Sequence, residues 1–237
     1  RAVLEVARVW KEHGFVTEED IQYLTTKISY PYSVIDKITP HPDHRILSVI
    51  QADGIEGIDI FQTERGTAAA AFTNAEKTQY LLIEDKFPNG HPPLEQTGVI
   101  FTTRSIVDRT ARMKACTCLN PIDTSNAVFG CLFGYDTIAE TMKDADLQNF
   151  NRKMSYDEAI PMVSDPGVVD PWEFLHEVLT ERLPNPYLAD QTKRIATDTS
   201  HKLGMRFGET ILAYYDSPVP KHRVSRLRYI PFVLAGW

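Results

Sequence analysis

Short strand-like pieces give way near residue 105 to long amphipathic runs, and this change of character constrains the fold more than any single motif. Before it, "GIDIFQT", "YLLIED" and "GVIFTT" are brief, rich in Ile, Val, Phe and Tyr, and bounded by Gly, Asp, Asn and Pro, the pattern of strands joined by turns. Ahead of them, Val3, Leu4, Val6, Ala7, Val9 and Trp10 recur at helical spacing until Gly14, and a second helical stretch covers 18–24. Beyond residue 105, helical periodicity runs through 125–142, 144–161, 171–183, 188–214 and 219–237. Pro171 directly after Asp170 fits a first helical position behind an aspartate N-cap. The expected architecture is an α/β front over residues 1–105 and an all-α unit over 106–237. With 43% hydrophobic residues among 237, the chain has enough apolar side chains for two such units.

The formal charge of -7, from 25 basic against 32 acidic residues, opposes adhesion to nucleic acid or to anionic membranes through the overall field. No stretch approaches the roughly 20 apolar residues of a membrane span. Cys116, Cys118 and Cys131 form no Cys-x-x-Cys pair and no disulfide framework, which points to a reducing, cytoplasmic setting. Neither G-x-G-x-x-G nor G-x-x-x-x-G-K-[ST] occurs. His41, Asp43 and His44 in "HPDH" read as turn residues beside proline, so no metal is expected there.

Three stretches carry candidate chemistry. In "KACTCLNPIDTS", a lysine desolvated at the mouth of a helical core gives up its proton more readily and can act as a general base. The Asn120 amide can donate to a carbonyl or a developing alkoxide. The plain alternative is that Asn120 caps a helix whose first position is Pro121, that Lys114 is solvated, and that Asp123 answers the helix dipole. In "RIATDTSHKLG", Arg194, Asp198 and Lys202 stand four apart and would share one helical face, suited either to a carboxylate or polyhydroxylated substrate or to an exposed ion-paired stripe. In "ISYPYSVIDKITP", Pro31 and Pro40 stiffen a segment around Asp36 and Lys37 that reads as a rigid loop.

Together and in this order, these stretches resemble the mannitol dehydrogenase family of polyol-specific long-chain dehydrogenases, which includes fructuronate and tagaturonate reductases. The family segment F-P-x-S-x-V-D-R-I-T-P is similar to residues 30–40, and W-x-x-E-D-x-F-P-x-G-R-P-x-x-E-x-x-G-V to "IEDKFPNGHPPLEQTGV". R-I-A-x-D-x-S-x-K-L is matched at Arg194, Ile195, Ala196, Asp198, Ser200, Lys202 and Leu203. The family's catalytic lysine and asparagine fall on Lys114 and Asn120, with a gap one residue longer than the family's; its histidine position holds Asp123. Lys37 replaces the usual arginine, and Tyr32 stands where asparagine is common.

The resemblance implies the end of a Rossmann-type nucleotide-binding domain followed by a helical substrate domain, truncated at both ends, with the dinucleotide turn ahead of Arg1. It implies an NAD- or NADP-linked oxidoreductase acting on a sugar alcohol, aldonate or uronate, with Lys114, Asn120 and Asp123 catalytic and Asp36, Arg194 and Lys202 on the substrate. A non-catalytic sugar-acid binder on the same scaffold is the alternative, motivated by Asp123 and the absent glycine motif. The further expectation is that Asp123 lies one turn below Lys114 and holds its ammonium, slowing the reaction at neutral pH.

Overall fold

Gly14, at φ 75°, takes a left-handed backbone that costs other residues a Cβ clash, and it ends α1 (Ala2–Glu12) as the sequence leads one to expect. The computed structural model describes every residue except Arg1, Asn74, Thr78, Gln79 and Ala189. α2 (Glu18–Thr26) starts from a capping box in which the Thr17 side chain takes the Asp20 N–H and Asp20 returns to the Thr17 backbone. β1 (Ser33–Asp36) follows, where the sequence suggests only a stiff loop. α3 (His44–Ala52) is also unexpected: Asp43 of "HPDH" accepts from the Arg45 N–H and caps it.

"GIDIFQT" contributes only β2 (Phe61–Gln62), which pairs antiparallel with β3 (Ala68–Ala69). β4 (Tyr80–Glu84) and β5 (Ile100–Thr102) stand where strands are expected. The main sheet runs β1-β4-β5, antiparallel then parallel, and its register sets Asp36 opposite Tyr80.

α4 (Arg104–Met113) packs on β1 and β4 and leads into the helical part. There follow α5 (Asn120–Phe133), α6 (Ile138–Thr141), α7 (Ala145–Lys153), α8 (Pro171–Glu177), α9 (Thr192–Ala196), α10 (Thr199–Asp216) and α11 (Tyr229–Gly236). Asp170 accepts from Trp172 and Glu173 ahead of Pro171, as expected. The helices enclose the core, with Met113, Ile122, Val178 and Val233 all at 0% exposure. Each such burial contributes about 1.5–3 kcal/mol. By contrast Val3, Val6, Val9 and Trp10 of α1 are exposed, and only Ala7 of that helix is buried.

Three expectations fail in the helical part. The run 125–142 is broken where Gly134, at φ 82°, ends α5 and Thr137 caps α6. The run 188–214 is not one helix, because Asp198 adopts φ 57°, the one positive φ at a non-glycine among the described residues, and separates α9 from α10. Arg194, Asp198 and Lys202 therefore do not line one face. The run 219–237 is irregular until α11, whose first N–H groups at Arg228, Tyr229 and Ile230 donate to the buried Glu158 carboxylate. That carboxylate supplies the acceptor the helix start lacks.

Three π-helical turns continue α4, α7 and α8 without a break: Lys114–Cys118, Met154–Ala159 and Val178–Arg182. Each closes with a bond over five residues, from Leu119 N–H to Lys114 O at 3.2 Å, from Ile160 N–H to Ser155 O, and from Leu183 N–H to Val178 O at 3.0 Å. A π turn takes in one more residue than an α turn and re-aims the side chains on it. Lys114, Glu158 and Arg182 all stand on such turns.

Candidate active site

Lys114 opens the first π turn, and its side chain keeps 23% exposure. Its Nζ lies 2.5 Å from Asp36 Oδ1 and 3.5 Å from the Ile35 carbonyl. The π turn and the single residue Leu119 carry α4 on to α5 without a loop.

Asp36 ends β1 at 0% exposure and has a second cation on it. Arg182 donates from Nη1 to Oδ2 at 2.7 Å and from Nη2 to Oδ1 at 3.0 Å. The same guanidinium donates from Nε and Nη2 to the two oxygens of Glu76, both at 2.8 Å. Glu76 Oε1 also takes the Ile38 N–H at 2.6 Å, and the Glu76 N–H returns to the Ile38 carbonyl at 3.2 Å. Burial opposes the charge on Asp36, but Arg182 and Lys114 outweigh it and hold the carboxyl below its ordinary range. For Arg182 burial likewise works against the charge, and the two carboxylates more than offset it. Burial, then the Asp36 charge, pushes the facing Tyr80 phenol far up.

Asn120 is the first residue of α5, preceded by Leu119 at the cap, and makes no side-chain capping bond. Its carbonyl takes the Thr124 hydroxyl at 2.8 Å, while its amide has no hydrogen-bond partner among the described residues. The amide is therefore not spent on capping α5, against the plain alternative.

Asp123 lies in the first turn of α5 but does not hold Lys114, whose carboxylate partner is Asp36. The expectation that Asp123 grips that ammonium is therefore corrected: the helix carries it toward α9 and α10 instead. Its carboxyl is pushed up to about 7, by burial first and by the Asp190 carboxylate second, against the pull of Arg194, Arg206 and Lys202. Arg194 is exposed and pairs with Asp190, and Lys202 donates to the Ile195 carbonyl at 2.7 Å, closing α9. Arg206 donates from Nη1 to the Ala115 carbonyl at 3.4 Å, while its buried Nε has no partner. Burial lowers its proton affinity, with Asp123 opposing.

The expected site residues thus form two groups. Asp36 and Lys114 pair directly, with Arg182 and Glu76 extending the network behind Asp36; the charges of Arg194, Arg206 and Lys202 act on Asp123. Ile38, Asp123, Arg182 and Asp190 wall one narrow crevice, which brings the groups side by side. Arg182 and Glu76 escaped the sequence reading. One signal was available for Arg182: it continues the stripe Phe174, Val178, Arg182, so an arginine stands where a core residue belongs. Glu76, in the loop before β4, has no such signal. Cys116 and Cys118 offer no nucleophile, since burial pushes them up to about 11 and about 12. No group of three metal-ligating side chains occurs among the described residues, and no helix among them is long and apolar enough to cross a membrane.

Residues 109–225 match the family described as Mannitol dehydrogenase C-terminal domain. The chain is 48% identical to the D-mannonate oxidoreductase of Thermotoga maritima, over all of this chain and 44% of that protein. A D-sorbitol dehydrogenase solved in substrate-free form superposes with a TM-score of 0.74 at 25% identity, over 92% of this chain and 41% of that one. The mannitol 2-dehydrogenase of Pseudomonas fluorescens, solved with NAD and D-mannitol, shares the fold at a TM-score of 0.70 and 23% identity, over 95% and 42%. The chain therefore spans less than half the length of the proteins it matches.

Proposed function

As the chain belongs to the mannitol dehydrogenase family, we propose that it forms the substrate side of a nicotinamide-linked oxidoreductase interconverting a sugar alcohol or aldonate with its ketose or keto-uronate. The observation that carries this reading is the mostly buried but still accessible Lys114 amine set on a buried charge network, with an unengaged Asn120 amide at the next helix start. Lys114 takes the proton from the substrate hydroxyl. Asn120 donates to the oxygen as its charge changes. Asp36 fixes the amine rather than the substrate, because its oxygens are already engaged. Arg194 and Lys202, with Asp123, face the far end of the substrate, and an aldonate or uronate carboxylate suits these cations.

NAD or NADP supplies the hydride chemistry when bound. Its pyrophosphate finds no glycine-rich turn in these 237 residues, so the steps assigned to this chain are those of proton and substrate only. On this reading 1–105 closes the nucleotide-binding domain and 106–237 is the substrate domain. The setting is the reducing cytoplasm, in keeping with three unpaired thiols.

The test is steady-state NADH or NADPH absorbance on the natural-length protein with D-mannonate, fructuronate, tagaturonate and mannitol. Turnover with one of them is expected, and Lys114→Ala lowers kcat by roughly 10²–10⁴-fold, the range of a lost proton-transfer group. No turnover with any, or a Lys114→Ala variant as fast as the parent, overturns the proposal.

A further inference from the structure

Three buried charged groups meet the partly exposed Lys114 at the site, and only Lys114 exchanges its proton during the proposed reaction. Asp36 and Glu76 supply two negative charges, Arg182 and Lys114 two positive ones. The set is neutral while Lys114 is an ammonium. When the amine gives up its proton, the buried remainder carries one net negative charge. That state is costly in a low dielectric unless the charge is spread and fully hydrogen-bonded. The geometry does both: a guanidinium, which keeps its proton, reaches across two carboxylates with four bonds of 2.7–3.0 Å.

We infer that Arg182 and Glu76 are positioning residues that fix the Asp36 carboxylate against Lys114 and set its grip on the amine: Arg182 shares the Asp36 charge so that the amine can release its proton, and Glu76, by drawing on Arg182, limits that release. This inference rests on the role of Lys114 proposed above. Glu76 acts twice. It anchors Arg182 on the side away from Asp36, and through its paired backbone and side-chain bonds to Ile38 it clamps the chain two residues beyond Asp36. Arg182 acts once, on both oxygens of Asp36. Without it the carboxylate would face Lys114 alone and grip the ammonium harder; without the Glu76 charge, Arg182 would belong to Asp36 alone and the grip would loosen. The two residues thus pull the amine in opposite directions. The other titratable or charged groups around the network are Tyr80 on β4, Cys118 on the first π turn and Glu177 on α8, joined from α10 by Arg206 on the Ala115 carbonyl. Among the described residues, Asp36 is the only ion-pair partner of Lys114.

The experiment follows the reactivity of the Lys114 amine toward acetic anhydride across pH in the natural-length protein, read by mass spectrometry on the peptide that bears it, beside the pH profile of kcat. Glu76→Gln moves the midpoint of labelling, and with it the ascending limb of kcat for alcohol oxidation, to lower pH by about half a unit. Arg182→Met moves both to higher pH by about one unit, in the range for gain or loss of a neighbouring charge. Opposite shifts are the signature, because a merely structural role lowers activity at every pH and moves neither midpoint. If Arg182→Met does not fold, judged by near-ultraviolet circular dichroism, Glu76→Gln decides by its direction alone. An unmoved or upward midpoint in Glu76→Gln overturns the inference. Because labelling needs no turnover, a shift as described without any polyol or aldonate activity would overturn the proposed function and leave the positioning role standing.

Discussion

At the scale of single residues, the most testable group is Asp123. Its carboxyl is pushed up to about 7 in the fold from an ordinary value of 3.8, by burial and by Asp190. The fold therefore favours the protonated acid. Between pH 4 and 7 the unfolded chain gives up this proton before the folded one does, so stability falls as pH rises through that window. Some three units at about 1.4 kcal/mol each make the full loss on the order of 4 kcal/mol, reached above pH 7. Asp123→Asn removes the titration. Its gain in stability over the parent should be larger at pH 8 than at pH 5 by roughly 2–3 kcal/mol, read from urea denaturation at both; equal differences would refute the raised carboxyl. The sequence marked Lys114, Asn120, Asp123 and Asp36, because each sits on a motif. It did not show that Lys114 pairs with Asp36, since that contact spans 78 positions of chain and depends on β1, which itself went unread.

Among elements, what could be read was periodicity. α1, α2, β4, β5 and the Asp170–Pro171 start all obey local rules and stand where those rules put them. What could not be read were the departures from regular geometry, three π turns and the Asp198 break, which no local periodicity marks. Helix contacts nevertheless yield a sharp expectation for two glycines. A Cβ at Gly130 on α5 would lie 2.6 Å from Thr192 Cγ2 and 2.9 Å from Thr141 Cγ2, both residues at 0% exposure. Overpacking there costs about 1–3 kcal/mol and outweighs the helix-propensity gain of up to about 1 kcal/mol. At Gly204 in α10 an added Cβ meets nothing within 4 Å, so only the gain remains. Gly130→Ala should melt below the parent and Gly204→Ala above it in thermal denaturation. The same sign for both would mean that α5 and α9 are less tightly apposed than described.

At the scale of the whole molecule, the candidate site and the cofactor make different demands on the chain. The residues proposed to handle the proton lie within this chain: Lys114 on its charge network and Asn120 at the start of α5. A dinucleotide also needs its pyrophosphate neutralised, usually by the N–H groups of a glycine-rich turn at the start of a helix behind a strand. β1 leads to α3 through a proline-bounded segment and β4 leads to a turn ahead of Leu94, and neither carries that motif. The net charge of -7 adds a repulsive field for a doubly charged pyrophosphate. Exposed helix starts remain, but one such terminus is worth only about 0.3–1 kcal/mol toward an anion, far from the roughly 8 kcal/mol of a micromolar complex. The 237-residue chain by itself should therefore bind NADH at least about a hundredfold more weakly than the natural-length protein, a difference of about 2.7 kcal/mol. Calorimetric titration of both, at matched ionic strength, is the measurement. A micromolar Kd for the 237-residue chain alone would place the nucleotide site within these residues and require its phosphate contacts to be sought on the β1-β4-β5 sheet.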